Sequence, residues 1–171
     1  MRTPKLFGAS LLVLMAVSVA AAEKISMLDD CDAKDPAWAS VGGCLLRHGE
    51  VTFAEFVAEL DSPLASAVVG HQSWRNEPSF VAIDEGHTIR VENRGGRPHT
   101  FTQVAEFGGG KVPPPAGTGL NEGLVTAPEC PGSVDIPPGA RTKVENLGVG
   151  THRFQCCIHP WMRAHIKVEP K

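Results

Sequence analysis

The pattern of apolar and polar residues changes near residue 78. From there on, apolar and polar residues alternate with a period of two, which predicts β-strands. Turns rich in Gly and Pro separate these stretches, for example Asp84–Gly86 and Pro137–Gly139. The predicted strands are Phe80–Ile83, His87–Asn93, Thr100–Val104, Val134–Ile136, Lys143–Glu145, His152–Cys156 and Ala164–Val168. Short strands at this spacing are typical of an all-β fold, an antiparallel β-sandwich.

Residues 23–70 do not show the strand pattern and are predicted to form a small helical N-terminal extension. Apolar side chains in Val51–Leu60 recur at helical spacing, which predicts an amphipathic helix. Thr52 and Glu55 have the spacing of a capping box at its start, and Asp61–Pro63 ends it. Its apolar face is expected to pack on the outside of the domain formed by residues 71–171; the alternative is the groove of a partner protein.

The first 22 residues have the pattern of a secretory signal peptide. Arg2 and Lys5 precede an apolar run from Leu6 to Val19, and Ala20–Ala22 supplies small residues for cleavage. The run is short for a membrane span, which needs about 20 residues. We therefore expect an exported protein, periplasmic or secreted, without a membrane span after cleavage; the alternative is an uncleaved anchor.

Charge adds little to this picture. The formal net charge of the chain is −3, which gives no support for binding nucleic acid. Acidic residues cluster in Asp29–Asp32, and we expect them to be solvated in a flexible end. Four histidines have no chelating partner at a useful spacing and are predicted to be surface groups: His48, His71, His87 and His165.

The candidate chemistry lies in the loop Cys156–Met162. Cys156, His159 and Met162 have the spacing C-x-x-H-x-x-M, and a second imidazole, His99, lies far upstream after Pro98. Two His, one Cys and a weak axial Met form the ligand set of a blue-copper electron-transfer site. The sequence therefore predicts one type 1 copper ion as the cofactor and His99, Cys156, His159 and Met162 as its ligands.

This pattern resembles the cupredoxin family over roughly residues 71–171, and the loop is most similar to those of amicyanin and plastocyanin. The resemblance implies a Greek-key sandwich and the same four ligands. In the best-known members the residue after the first His is Asn, whose side chain braces the ligand loop. This chain has Thr100 there, which is shorter but also forms hydrogen bonds.

The five cysteines are consistent with one metal-bound thiolate and two disulfides. Neighbours in a strand face opposite sides, so Cys156 shares the inward face of Phe154 while Cys157 points away. The other four cysteines allow three pairings, and we prefer Cys31–Cys44 and Cys130–Cys157. The alternative is that Cys130 or Cys157 stays free and buried.

Four protein ligands leave no open position for a substrate, so an electron carrier is predicted rather than an enzyme. The alternative is a non-redox module that delivers or stores copper. Redox partner proteins are expected to dock on a hydrophobic patch formed by Pro160 and Trp161 around the His159 ring. The alternative for Trp161 is that it packs inward.

Overall fold

Two four-stranded β-sheets form the framework of the protein in the computed structural model, which describes residues 23–61, 69–112 and 124–171. The strands are β1 (Glu23–Leu28), β2 (Arg75–Glu77), β3 (Phe80–Asp84), β4 (Ile89–Asn93), β5 (Thr102–Val104), β6 (Arg141–Val144), β7 (Gly150–Gln155) and β8 (Arg163–Glu169). The predicted signal peptide, residues 1–22, lies outside the described residues. Within the described ranges, no helix has the length and apolar character needed to cross a bilayer.

The first sheet has the order β2-β1-β4-β6. Its inner strand β1 runs parallel to β4, with Ile25 opposite Val91, and antiparallel to β2. The prediction that residues 23–70 contain no strand is therefore wrong at its start, since Glu23–Leu28 belongs to the sandwich. Ile25 and Met27 are fully buried, which explains why this segment joins the sheet. The domain boundary at residue 70 stays a prediction.

The second sheet has the order β3-β8-β7-β5 and carries the candidate site at one end. Strand β7 is antiparallel to both β8 and β5, whereas β3 is parallel to β8. The predicted sandwich is confirmed, but each sheet contains one parallel pair and is mixed rather than antiparallel throughout. Predicted strand Val134–Ile136 is reduced to a single bridge between Ile136 and His99.

The core lies between the two sheets. The alternation in strand β8 directs its apolar side chains into this core. Ala164, Ile166 and Val168 are buried, whereas Lys167 and Glu169 lie on the exposed face. Ile25 and Val91 of the first sheet belong to the same apolar cluster. Burying side chains of this size contributes about 1.5–3 kcal/mol each.

The predicted helix is confirmed as α1 (Phe53–Leu60). Thr52 caps it: its hydroxyl accepts from the Glu55 N–H, and the Glu55 carboxylate accepts from the Thr52 N–H. Phe56 and Leu60 on one face are buried in the core cluster of the sandwich. The apolar face of α1 therefore packs against the sandwich of this chain, which agrees with the expectation for this face.

Both preferred disulfides are present. Cys31 is bonded to Cys44, and Cys130 is bonded to Cys157. Cys156 is free and buried. The second disulfide ties the short 3-10 helix Cys130–Gly132 to the residue next to Cys156, which supports the strand end that carries the candidate ligand.

Candidate metal centre

Three strand ends meet at the candidate site. His99 lies ahead of β5, Cys156 directly follows β7, and His159 lies in the loop that leads to β8. The backbone of Ile136 holds the backbone of His99. The His99 N–H donates to the Ile136 carbonyl at 3.2 Å, and the His99 carbonyl accepts from the Ile136 N–H at 2.7 Å. His99 and Cys156 are thus placed next to strand ends, and His159 is placed by the loop between β7 and β8.

The donor atoms of His99, Cys156 and His159 converge, all within 4.8 Å of one another and all buried. The two Nδ1 atoms are 3.2 Å apart, and the Cys156 Sγ lies 3.9 Å from Nδ1 of His99 and 3.7 Å from Nδ1 of His159. A circle through three atoms at these spacings has a radius of about 2.1 Å, close to the length of metal–imidazole and metal–thiolate bonds. The residues present therefore fit one small transition-metal ion.

Met162 closes the ligand loop. Its N–H donates to the His159 carbonyl at 2.9 Å, and its carbonyl accepts from the Cys156 N–H at 3.0 Å. Only 1% of Met162 is exposed. The structure thus holds Met162 in the same tight turn as the two loop ligands, and its role as the axial ligand stays a prediction.

The sulfur of Cys156 is prepared to be a thiolate. Burial raises the pKa of Cys156, but His99 and the backbone N–H groups of Thr100 and His159 outweigh it and lower the pKa. These two N–H groups lie 3.3 and 3.4 Å from the sulfur. A thiolate is the form that binds a metal.

The two imidazoles differ in protonation. Burial lowers the pKa of His99, but its hydrogen bonds to Asp29 and Cys156 raise it to about 9. Burial, followed by the positive charges of His99 and Arg97, holds the pKa of His159 well below its usual value. The His159 ring is therefore favoured in its neutral form, and a metal ion bound at Nδ1 of His99 would take the place of a proton.

Thr100 braces the ligand loop. Its hydroxyl oxygen accepts from the Cys157 N–H at 2.7 Å, and the Thr102 hydroxyl donates to that oxygen at 3.2 Å. Thr100 is fully buried. It therefore ties the segment before β5 to the ligand loop, the role that the resemblance assigns to Asn.

Aromatic side chains cover His159, which is only 4% exposed. Its ring centroid lies 6.4 Å from those of Phe56 and Trp74 and 5.6 Å from that of Trp161. Of the two alternatives for Trp161, inward packing is the one found: it is 8% exposed, and its Nε1–H donates to the Trp74 carbonyl at 3.1 Å. Pro160 is buried as well, so the exposed patch predicted at Pro160 and Trp161 is not a surface feature.

Sequence reasoning missed Asp29, which we expected to be solvated. Asp29 is 7% exposed, and its Oδ2 lies 2.8 Å from Nε2 of His99. The alternation of a strand could have indicated that Asp29 is buried. Ile25, Met27 and Asp29 follow one another at intervals of two residues, so they share the inward face of β1 and its continuation. His71 was also placed wrongly at the surface: it is 3% exposed and lies against Phe56.

Comparison with known proteins finds similar folds but no close relative. No protein-family model and no curated protein match the sequence. A purple cupredoxin from Nitrosopumilus maritimus is 17% identical and aligns over 58% of this chain and 86% of its own, with a TM-score of 0.40. A reduced mutant of amicyanin is 22% identical over 61% of this chain and 83% of its own, with a TM-score of 0.39. A Cu(I) form of another amicyanin mutant is 19% identical over 66% and 89%, with a TM-score of 0.38.

At these identities and TM-scores, the alignments say nothing further about this chain. The resemblance to cupredoxins is confirmed in this chain by its own features: the sandwich of two four-stranded sheets, and the buried His99, Cys156 and His159 with Met162 in the same loop. Trigonal His₂Cys coordination with a weak Met is typical of type 1 copper. The donor set is therefore that of a copper site.

Proposed function

We propose that the protein is an exported blue copper protein that carries one electron at a time on a single type 1 copper ion. The observation that carries this proposal is the convergence of the Nδ1 atoms of His99 and His159 with the Sγ of Cys156 in a buried cluster. Met162 completes the proposed ligand set. Copper supplies the Cu(II)/Cu(I) couple when it is bound.

The chain's own residues keep the site rigid and dry. Thr100 holds the ligand loop through the Cys157 N–H, and the Ile136 backbone holds His99. Phe56 and Trp161 cover His159 and exclude water. A site whose ligands do not move when the charge changes needs little reorganisation, which favours fast electron transfer over substrate chemistry.

Export is supported by the cysteines. The two disulfides Cys31–Cys44 and Cys130–Cys157 are of the kind that persists in oxidising compartments. The sequence pattern of residues 1–22 agrees with secretion. We therefore place the protein in a periplasm or outside the cell.

A redox partner would approach at the ligand end of the sandwich, but not at Pro160 and Trp161. His159 lines a cavity of about 60 Å³ that the half-buried Phe53 and Ile158 also line. The apolar side chains near the His159 ring could form the contact surface for a redox partner that binds transiently. We propose this part of the surface as the route by which electrons reach His159.

The proposal is tested by the spectrum and redox cycling of the copper-loaded protein. We expect an intense blue absorption from the copper–thiolate bond, lost in Cys156→Ser and kept in the matched variant Cys157→Ser. Repeated reduction and oxidation in the presence of a Cu(I) chelator should leave copper bound. Release of copper on reduction would favour the delivery module, and a colourless wild type would contradict the proposed site.

A further inference from the structure

Asp29 is a buried carboxylate whose hydrogen-bond partner is a proposed copper ligand. Its Oδ2 lies 2.8 Å from Nε2 of His99, and both side chains are 0% exposed. Its oxygens also accept from the backbone N–H groups of Gly96 at 2.8 Å and Arg97 at 3.0 Å. The Cys31 N–H donates to the Asp29 carboxylate as well, at 3.4 Å. Burying a carboxylate is costly unless it is hydrogen-bonded, and these contacts meet that need.

The contact settles how the His99 ring is oriented. Its Nδ1 faces Cys156 at 3.9 Å and His159 at 3.2 Å, while its Nε2 faces Asp29. When Nδ1 is the metal donor, Nε2 keeps its hydrogen and donates it to the carboxylate. A carboxylate in this outer position fixes the tautomer of a ligating imidazole and raises its basicity.

The contact also places a negative charge next to the metal site. The side chain of Arg97 donates through its guanidinium to the carbonyls of Val41 and Gly43, and its guanidinium carbon lies 5.4 Å from the centroid of the Trp38 ring. Its backbone N–H, and not its guanidinium, is the group bonded to Asp29. A buried negative charge is screened little and stabilises the more positive of two metal states.

We propose that Asp29 is a positioning residue of the copper site, which holds Nδ1 of His99 toward the metal and lowers the reduction potential by favouring the oxidised state. This inference rests on the copper function proposed above and adds the residue that sets the energy of its two redox states. It also gives the N-terminal strand β1 a role in the chemistry, because Asp29 directly follows that strand.

The test is the reduction potential of Asp29→Asn in the copper-loaded protein. Asn keeps an oxygen that accepts from His99 and removes the charge. We expect the equilibrium constant for reduction to rise at least tenfold, which is about 59 mV for one electron. The matched control is Asp30→Asn, the same change at the next residue, which is half-buried. The equilibrium constant for reduction of this control should stay within about twofold of the wild type, because solvent screens the charge of Asp30.

A second measurement uses the wild type, in case Asp29→Asn does not fold. In the NMR spectrum of the Cu(I)-loaded protein, the Nε2–H of His99 should be observed far downfield and protected from exchange, as a hydrogen bond to a buried carboxylate requires. A His99 ring protonated on Nδ1 would overturn the inference. The inference would also be overturned if the wild type is blue and the two variants, Asp29→Asn and Asp30→Asn, have the same reduction potential. A colourless wild type would instead overturn the proposed function, and the inference with it.

Discussion

The ring of Phe56 on α1 lies 6.4 Å from the ring of His159, edge to face, so a helix from the N-terminal half of the chain covers this proposed copper ligand. Phe56 also contacts Trp74 at 4.7 Å between ring centroids, and Trp161 at 6.3 Å. An aromatic cluster of Phe56, Trp74 and Trp161 therefore covers the end of the sandwich that carries His159 and shields it from solvent.

Phe56→Ala should remove the centre of this aromatic cluster. Phe56 is 4% exposed, so the substitution should lower the free energy of unfolding by about 3–5 kcal/mol, through lost burial and the cavity left behind. Urea unfolding monitored by fluorescence measures it. The matched control is Phe80→Ala, because Phe80 is 57% exposed and its loss should cost less than about 1 kcal/mol. Equal losses would show that α1 does not pack as described.

Thr100→Val should loosen the ligand loop. Val has the shape of Thr but leaves the buried Cys157 N–H without its acceptor, which costs about 1–3 kcal/mol of unfolding free energy. We also expect the copper-loaded variant to lose its metal to a chelator faster than the wild type. Thr151→Val, at an exposed position of β7, is the control and should change neither quantity. A Thr100→Val protein that matches this control would mean that the hydroxyl does not brace the loop.

His71 should contribute to a fall in stability on mild acidification. Burial lowers the pKa of His71, although the charges of Glu59, Asp30 and Glu55 oppose this effect. In the unfolded chain, His71 takes up a proton near the usual His pKa of about 6.5, whereas in the folded protein it stays neutral to a lower pH. The stabilisation that comes from the neutral ring is therefore present above that pH and is lost below it. Urea unfolding between about pH 7.5 and 5.5 measures the dependence around that value.

The control for this pH dependence is a second histidine variant. His71→Gln should make the fall in stability shallower, whereas His48→Gln, at an exposed position, should leave it unchanged. If both variants keep the wild-type dependence, another group is responsible for it.

Local patterns were sufficient for the ligand loop, the free cysteine and the helix, whereas the disulfide pairing was a preference among three possibilities that the structure bears out. The proposed ligands Cys156, His159 and Met162 lie within seven consecutive residues, so their spacing alone indicates the metal chemistry. An odd number of cysteines in a chain with a secretion pattern left one thiol for the metal, and Cys156 is the free one found. Helix α1 begins at its capping box because capping and apolar spacing are interactions between near neighbours.

What the sequence by itself determined about this protein is therefore its chemistry: the donor set, the helix, and the alternation that makes a sandwich. The tertiary structure decided where β1 pairs, what lies behind His99 and what covers His159. Asp29 and His99 are 70 residues apart, and Phe56 and His159 are farther apart still. Contacts of this kind depend on the parallel register of β1 with β4 and on the packing of α1, which no local period of apolar residues specifies.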